Sequence, residues 1–145
     1  IGEHTDYNGL PVMPMAIDRE VRLVVAPRSD NIARLRNTAE AFSPREFPIC
    51  DDIPPYETGD WGNYVKAGAQ GVVELAKGLG RPAHTLRGFD ALVDTDLPMA
   101  AGLSSSSALV VATALACLAG NAIDVDKAEL AERMAAAERP AAQAL

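Results

Sequence analysis

Hydrophobic and polar residues alternate over the first clearly patterned stretch of the chain. Val21, Leu23 and Val25 occupy every second position of a run that ends at Pro27, and this spacing is typical of a β-strand. Turn-forming residues follow Pro27 and lead to a second apolar run at residues 32–36. The pattern therefore predicts a returning strand at 32–36 and a β-hairpin between the two runs.

The next stretch predicts an irregular segment followed by a helix. Residues 37–58 contain four prolines and are expected to be mostly irregular, with a short strand around Phe47 and Ile49. From residue 60 onward the period becomes helical. Residues 80–82 (Gly-Arg-Pro) supply a helix stop. The positions on one face of this helix are Trp61, Tyr64, Val65, Gly68, Val72, Leu75, Ala76 and Leu79.

Three further elements follow in the second half of the chain. Residues 86–94 are apolar on both faces, which predicts a central strand. Residues 108–119 are almost entirely apolar and predict a buried helix, with Gly120 as the glycine just past its end. Asp126 is expected to cap a last helix, and Pro140 is expected to break it.

Composition and charge narrow the classes of protein to consider. The chain has 145 residues, of which 48% are hydrophobic and 23% charged, as in a single globular domain. Its net charge of −7 argues against a nucleic-acid partner. Two distant cysteines, Cys50 and Cys117, indicate reduced thiols in a cytoplasmic protein. No signal peptide is visible, and the apolar run is shorter than the ~20 residues that span a bilayer. Because the chain begins at Ile1 rather than Met, we expect it to be part of a longer protein.

A serine-rich loop precedes the apolar helix and is the strongest candidate for a binding site. Pro98 and Gly102 lead to four serines at 104–107, where the first helical N–H groups have no intrahelical partner. The helix dipole and these free donors favour an anion such as a nucleotide phosphate. The alternative is an ordinary serine N-cap, which needs only one or two hydroxyls. Neither the P-loop nor the dinucleotide-binding motif is present.

Polar residues near the chain start form a second candidate site. Residues 1–9 supply donors and acceptors suited to a polyhydroxylated ligand, and the side chains concerned are Glu3, His4, Asp6 and Asn8. The alternative is a surface turn in which these side chains bond their own backbone. Taken alone, the residues favour the turn.

Two side chains on the predicted helices also have two possible interpretations. Glu138 lies four residues after Met134, on nearly the same helix face. A carboxylate near a buried stripe needs a cation or strong donors, although Glu138 is also placed to pair with Arg139. Trp61 is either part of the core or an aromatic ring that stacks on a base.

Three stretches together resemble one enzyme family. Residues 1–9 with 14–17 resemble the galactokinase signature. Residues 97–108 resemble the phosphate-binding motif of the superfamily of galacto-, homoserine, mevalonate and phosphomevalonate kinases. Residues 61–66 (WGNYVK) are similar to a further galactokinase stretch. The match in order and spacing extends to about Arg139. The resemblance implies an α/β (α+β) fold, the N-terminal domain of that superfamily, with helices packed on one side of a mixed sheet.

The resemblance also implies an activity and a set of site residues. The activity is transfer of the γ-phosphoryl group of ATP to the anomeric hydroxyl of galactose, giving galactose 1-phosphate, with Mg²⁺. The positions matching the sugar-binding residues are Glu3, His4, Thr5 and Asp6. The positions matching nucleotide-binding residues are Trp61, Ala100, Ala101, Gly102, Leu103, Ser104, Ser105 and Ser106. The positions matching Mg²⁺ ligands are Ser106 and Glu138.

The chain also departs from the family pattern. The catalytic aspartate of the family lies in a Met-Asp-Gln segment shortly after the position of Glu138, where this chain reads Arg139-Pro-Ala-Ala-Gln-Ala-Leu145. The family's arginine falls upstream of Ile1, and its C-terminal domain has no counterpart here. Ala100 replaces a residue that is usually glycine. We therefore expect residues 1–145 to be one truncated domain without a catalytic residue, and inactive alone. The alternatives are a kinase of N-acetylgalactosamine, galacturonate or arabinose, and a non-catalytic sensor of galactose and ATP.

Overall fold

The computed structural model describes residues 11, 13–98 and 103–143, with side chains as far as Arg139. Within these residues the chain forms a four-stranded sheet and three α-helices. The strands are β1 (Val21–Pro27), β2 (Ile32–Asn37), β3 (Arg45–Pro48) and β4 (Phe89–Thr95), and the helices are α1 (Gly62–Gly78), α2 (Ser105–Gly120) and α3 (Lys127–Gln143). A single 3-10 turn at Ala83–Thr85 precedes β4.

The sheet is mixed, and its strand order is β1-β4-β2-β3. β4 pairs antiparallel with β1 over seven residue pairs and parallel with β2 over five. The predicted hairpin between β1 and β2 is therefore wrong, because β4 lies between them. Gly88 lies against the connection between β1 and β2. Its carbonyl accepts the Arg28 N–H, its N–H donates to the Asp30 carbonyl, and a Cβ atom at Gly88 would collide with the Ile32 backbone.

One face of the sheet is buried and the other is exposed. The inward residues of the two central strands include Ala33, Leu35, Ala91 and Val93, which are all buried. Their neighbours Asp90 and Leu92 are exposed, so β4 is central by its pairing but is not covered on both faces, contrary to the sequence expectation. Helix α2 packs against β1 and β4, and α1 packs against α2 and α3. The expected mixed sheet with helices on one side is confirmed.

The first helix begins and ends near its predicted boundaries. The Asp60 carboxylate accepts the Gly62 N–H at 2.8 Å and is itself held by the Arg45 guanidinium at 2.7 Å. At the other end Gly80 takes the left-handed conformation with φ of +73°. The N–H groups of Gly80 and Arg81 then bond the carbonyls of Lys77 and Ala76, which is the Schellman arrangement.

The end of α2 differs from the sequence expectation. Gly120 is the last helical residue rather than the residue past the end, and Ala122 takes the left-handed position with φ of 49°. The side chain of Asn121 explains this choice, because its amide bonds both the N–H and the carbonyl of Arg87, at 2.7 and 3.1 Å. Asn121 thereby fixes where the helix ends relative to the segment that leads into β4.

The last helix starts as predicted and continues further than predicted. Asp126 Oδ1 accepts the N–H groups of Ala128 and Glu129, which confirms the N-cap. The predicted break at Pro140 is wrong, since α3 runs to Gln143. Proline inside a helix removes one N–H donor and crowds the carbonyl four residues earlier, so α3 continues past Pro140 at a local energetic cost.

Two findings concern the predictions made from composition about membrane spanning and about the cysteines. Among the described residues, no helix combines the length and apolar character that crossing a membrane requires. Cys50 and Cys117 are both free, and burial raises the pKa of the Cys117 thiol to about 12. A thiol in this state is protonated and unreactive at neutral pH.

The contact between α1 and α2 gives a first testable prediction. A Cβ atom at Gly68 would lie 2.5 Å from the Val110 carbonyl oxygen and 3.0 Å from Thr113 Cβ. Since backbone cannot move aside as a flexible side chain can, Gly68→Ala is expected to lower the free energy of unfolding by about 1–3 kcal/mol. Urea unfolding measures this change. Gly78→Ala is the matched control on the same helix, where a Cβ meets nothing within 4 Å; equal losses in both variants would contradict the prediction.

The end of α2 gives a second prediction. An alanine in the left-handed region is strained, and glycine relieves that strain, so Ala122→Gly is expected to raise the free energy of unfolding by roughly 0.5–1 kcal/mol. Ala119→Gly serves as the comparison, because Ala119 is an exposed residue inside the helix, where glycine costs up to about 1 kcal/mol. Thermal and urea unfolding report both changes, and a destabilised Ala122→Gly variant would show the assignment to be wrong.

Candidate functional site

The candidate site is built around the start of α2, which follows directly from the central strand. β4 ends at Thr95, whose hydroxyl accepts the N–H of the buried Leu97 at 3.1 Å. Leu103 is half-buried and Ser104 is exposed, and α2 begins at Ser105. The carboxyl end of the strand and the amino end of the helix are therefore separated by a short loop, a place where ligands of α/β sheets commonly bind.

Backbone N–H groups at the start of α2 have no partner within the helix. Ser104 takes a left-handed conformation with φ of 55° and makes no side-chain cap hydrogen bond. The first helical bond runs from the Ala108 N–H to the Ser104 carbonyl. The N–H groups of the three serines before Ala108 are therefore those that a helix start leaves without an intrahelical partner. The simple capping interpretation of the serines is not supported, since Ser104 does not cap the helix with its hydroxyl.

Glu138 lies beside this helix start. The Ser107 hydroxyl donates a hydrogen bond of 2.8 Å to Glu138 Oε1, and both side chains are half-buried. Among the described residues Glu138 forms no ion pair with Arg139, the alternative considered from the sequence. The carboxylate thus points towards the serines, and its role as a metal ligand stays a prediction.

Tyr64, on α1, also lies close to Glu138. It is half-buried, and desolvation together with the nearby negative charge of Glu138 raises the pKa of its phenol. The phenol is therefore neutral at physiological pH. The sequence analysis assigned no site role to Tyr64 and placed Ser107 only in the serine run, because the proximity of both residues to Glu138 arises from the packing of three helices. The available signal was weak: Ser107 is the fourth residue of the serine run, and Tyr64 belongs to the WGNYVK stretch.

Trp61 lies one helical turn before Tyr64. Its indole Nε1–H donates to the Ser43 carbonyl at 3.1 Å, and its ring meets Phe42 edge to face with centroids 5.9 Å apart. The ring is half-buried and is fixed on one edge by these contacts. Its proposed contact with adenine is not tested by this arrangement.

The rest of the WGNYVK stretch anchors the loop before α1. Asn63 and Lys66 are both buried, and Lys66 Nζ donates to a main-chain carbonyl at 2.6 Å while lying 3.1 Å from the centroid of the Tyr56 ring. Desolvation lowers the pKa of this ammonium group. The main-chain partners of Asn63, Lys66 and Gln70 belong to Asp51, Ile53, Pro54, Tyr56 and Glu57.

Several predicted site residues lie outside the described residues. These are Glu3, His4, Thr5 and Asp6 at the chain start, and Ala100, Ala101 and Gly102 in the loop. The described residues hold no group of three His, Cys, Asp or Glu side chains suited to a metal ion. Asp51 and Asp52 are exposed, and Asp51 lies 3.4 Å from Lys77. Glu138 thus lies beside the start of α2 and is not part of such a group among the described residues.

Comparison with known families gives two matches. Residues 63–144, more than half of the chain, match the family described as GHMP kinases N terminal domain. Residues 1–27 match the description Galactokinase galactose-binding signature. The first match contains the serines at the start of α2 and Glu138, and the second contains the polar residues at the chain start.

Individual proteins are similar over most of the chain. Galactokinase of Bos taurus is 44% identical over 118 residues, which are 78% of this chain and 28% of that protein. Galactokinase of Chloroflexus aggregans is 40% identical over 131 residues, covering 90% of the chain and 31% of the relative. The crystal structure of Lactococcus lactis galactokinase complexed with galactose superposes with a TM-score of 0.75 at 30% identity, over 97% of this chain and 34% of that one.

The chain spans about a third of the length of these relatives. The family match, by contrast, covers α1, α2 and α3 together with the central strand, which are the elements that build the site. The chain belongs to the GHMP kinase N-terminal domain family.

Proposed function

We propose that this chain supplies the nucleotide-binding and sugar-binding part of a galactokinase, which transfers the γ-phosphoryl group of ATP to the anomeric hydroxyl of galactose. The observation that carries the proposal is the Glu138 carboxylate held at the uncapped start of α2. Family membership supports the kinase activity, and the match of residues 1–27 to the galactose-binding signature supports galactose as the sugar.

The start of α2 is suited to the phosphate groups of ATP. The N–H groups of Ser105, Ser106 and Ser107 lie at the positive end of the helix dipole, where backbone donors and partial charge favour an anion. Donors fixed in place before the reaction need no reorganisation as charge develops on the transferring phosphoryl group. The hydroxyls of Ser105 and Ser106 add oxygen atoms to the site.

The side-chain oxygen atoms of Glu138 and Ser106 fit an Mg²⁺ ion that binds together with the nucleotide. Mg²⁺ prefers oxygen ligands and is usually held by one or two carboxylates together with substrate phosphates and waters. Glu138 supplies one carboxylate and Ser106 a hydroxyl, and a cage made of protein alone is not required. When bound, the ion would neutralise phosphate charge and help to align the transferring group.

The remaining contacts are assigned by position. Glu3, His4, Thr5 and Asp6 bind the hydroxyls of galactose, and a hydrogen-bonding site of this kind rejects analogues that leave its polar groups unpaired. Trp61 contacts the adenine base, with its ring held by Ser43 and Phe42. Positioning and charge neutralisation by these groups account for much of phosphoryl-transfer catalysis.

The test is galactose-dependent release of ADP by the natural full-length protein. We expect turnover with galactose and much lower kcat/KM with N-acetylgalactosamine, galacturonate or arabinose. Glu138→Gln is expected to lower kcat on the order of 100-fold, because a charge-stabilising group at the phosphates is lost. Glu132→Gln is the matched control, since Glu132 is an exposed carboxylate on the same helix.

Two results would contradict the proposal. Loss of activity in Glu132→Gln equal to that in Glu138→Gln would remove the special role of Glu138. Binding of galactose and ATP without ADP release would instead identify a galactose and ATP sensor.

A further inference from the structure

We propose that Ser107 is a positioning residue for Glu138, whose hydroxyl holds one carboxylate oxygen so that the other faces the nucleotide-bound metal ion. The proposal rests on the proposed function. It concerns a residue that lies outside the set Ser104–Ser106 predicted from the sequence. Its starting point is the 2.8 Å hydrogen bond from Ser107 Oγ to Glu138 Oε1.

This hydrogen bond has a particular place in the helix packing. Among the hydrogen bonds of the described residues, it is the one that joins a side chain of α2 to a side chain of α3. The two residues are 31 positions apart, so the contact is set by tertiary structure and not by helical spacing. Ser107 belongs to the first turn of α2, and its hydroxyl is thus adjacent to the N–H groups proposed to bind phosphate.

The chemistry of the pair favours orientation of the carboxylate. A glutamate side chain is long and loses considerable rotamer freedom when it is ordered. A hydroxyl bonded to an ionised carboxylate makes a strong, charge-assisted hydrogen bond. Oε1 is engaged by Ser107, while Oε2 has no hydrogen-bond partner among the described residues. Ligand carboxylates in metal sites are commonly held by such hydrogen bonds from neighbouring groups.

Helix docking does not depend on this hydrogen bond. Met134 is one turn before Glu138 and is 2% exposed. α3 approaches α1 so closely at this point that a Cβ atom at Gly71 would collide with the Met134 side chain and lie 3.3 Å from Ala137 Cβ. Apolar packing against α1 therefore holds α3 in place, and the polar contact with Ser107 is left to set the direction of the carboxylate.

The experiment measures ADP binding by calorimetry as a function of Mg²⁺, using the natural full-length protein. Ser107→Ala is expected to weaken Mg²⁺ binding to the ADP complex by about 10-fold, the lower end of the range for groups that orient a metal ligand. ADP affinity without Mg²⁺ and the melting temperature are expected to stay close to those of the wild type. Ser107→Thr, which keeps the hydroxyl, is expected to restore most of the Mg²⁺ dependence.

A double-mutant cycle separates positioning from a direct role. If Ser107 acts through Glu138, then adding Ser107→Ala to Glu138→Ala changes the Mg²⁺ dependence no further. A further loss in the double variant would overturn the proposal, because Ser107 would then act independently of Glu138. Mg²⁺ dependence equal to the wild type in Ser107→Ala would also overturn it, as would a loss of melting temperature alone.

Failure of the proposed function is distinguishable from failure of this inference. Wild-type protein that binds ADP without any Mg²⁺ dependence would overturn both, and this result appears before any variant is made. Wild-type protein with Mg²⁺-dependent ADP binding, and Ser107→Ala identical to it, would overturn the inference and leave the proposed function standing.

Discussion

The insertion of β4 between β1 and β2 is the constraint on which the site depends. Because β4 is central, the loop that leaves it begins in the middle of the sheet edge and not at one side. α2 then returns across the inner face and packs against β1 and β4, which fixes where its first turn lies. The insertion requires backbone contact at Gly88, where any side chain would meet Ile32. A single glycine far from the serines in sequence therefore helps to determine where they are presented.

The second requirement is a charge brought to that helix start from a distant part of the chain. α3 packs on α1 through Met134 and carries Glu138 to the serines. A half-buried carboxylate is costly unless it has donors or a cation. Ser107 supplies one donor. The Tyr64 phenol is neutral, so it adds no second negative charge that would repel the carboxylate. The arrangement leaves the carboxylate partly satisfied, as expected of a group that also binds a ligand.

The sequence predicted local structure well and long-range pairing poorly. α1, the Asp126 cap and the serine helix follow from periodicity and capping chemistry, which act over a few residues. The partner of β1 does not, because alternation at Val21, Leu23 and Val25 shows which face is buried but not which strand lies alongside. The end of α2 was misplaced for a similar reason: Asn121 is fixed by Arg87, a contact across 34 residues. Pro140 was expected to end the helix, but a proline can also weaken or kink a helix that continues past it, and α3 runs to Gln143.

For the candidate site, too, the sequence indicated local features and not long-range contacts. The serines and Glu138 were predicted from the sequence, because free helix donors and an inward carboxylate are local features and the family resemblance assigned them roles. The contact that joins them was not found, since nothing in the sequence indicates that Ser107, rather than Ser106, reaches Glu138. Tyr64 was placed on the apolar face of α1, and it does pack against the core, but its proximity to Glu138 was not predicted.

The segment before α1 is held in an uncommon way that bears on how this protein can vary. Its proline-rich sequence suggests a loop without a fixed path, yet the side chains of Asn63, Lys66 and Gln70 bond its main chain, and Lys66 also lies over the Tyr56 ring. Because every residue type offers the same carbonyl and all except proline the same N–H, substitutions along the segment need not alter its course. The path of the segment therefore depends on three side chains of α1, and we expect its exposed residues to tolerate substitution better than those three.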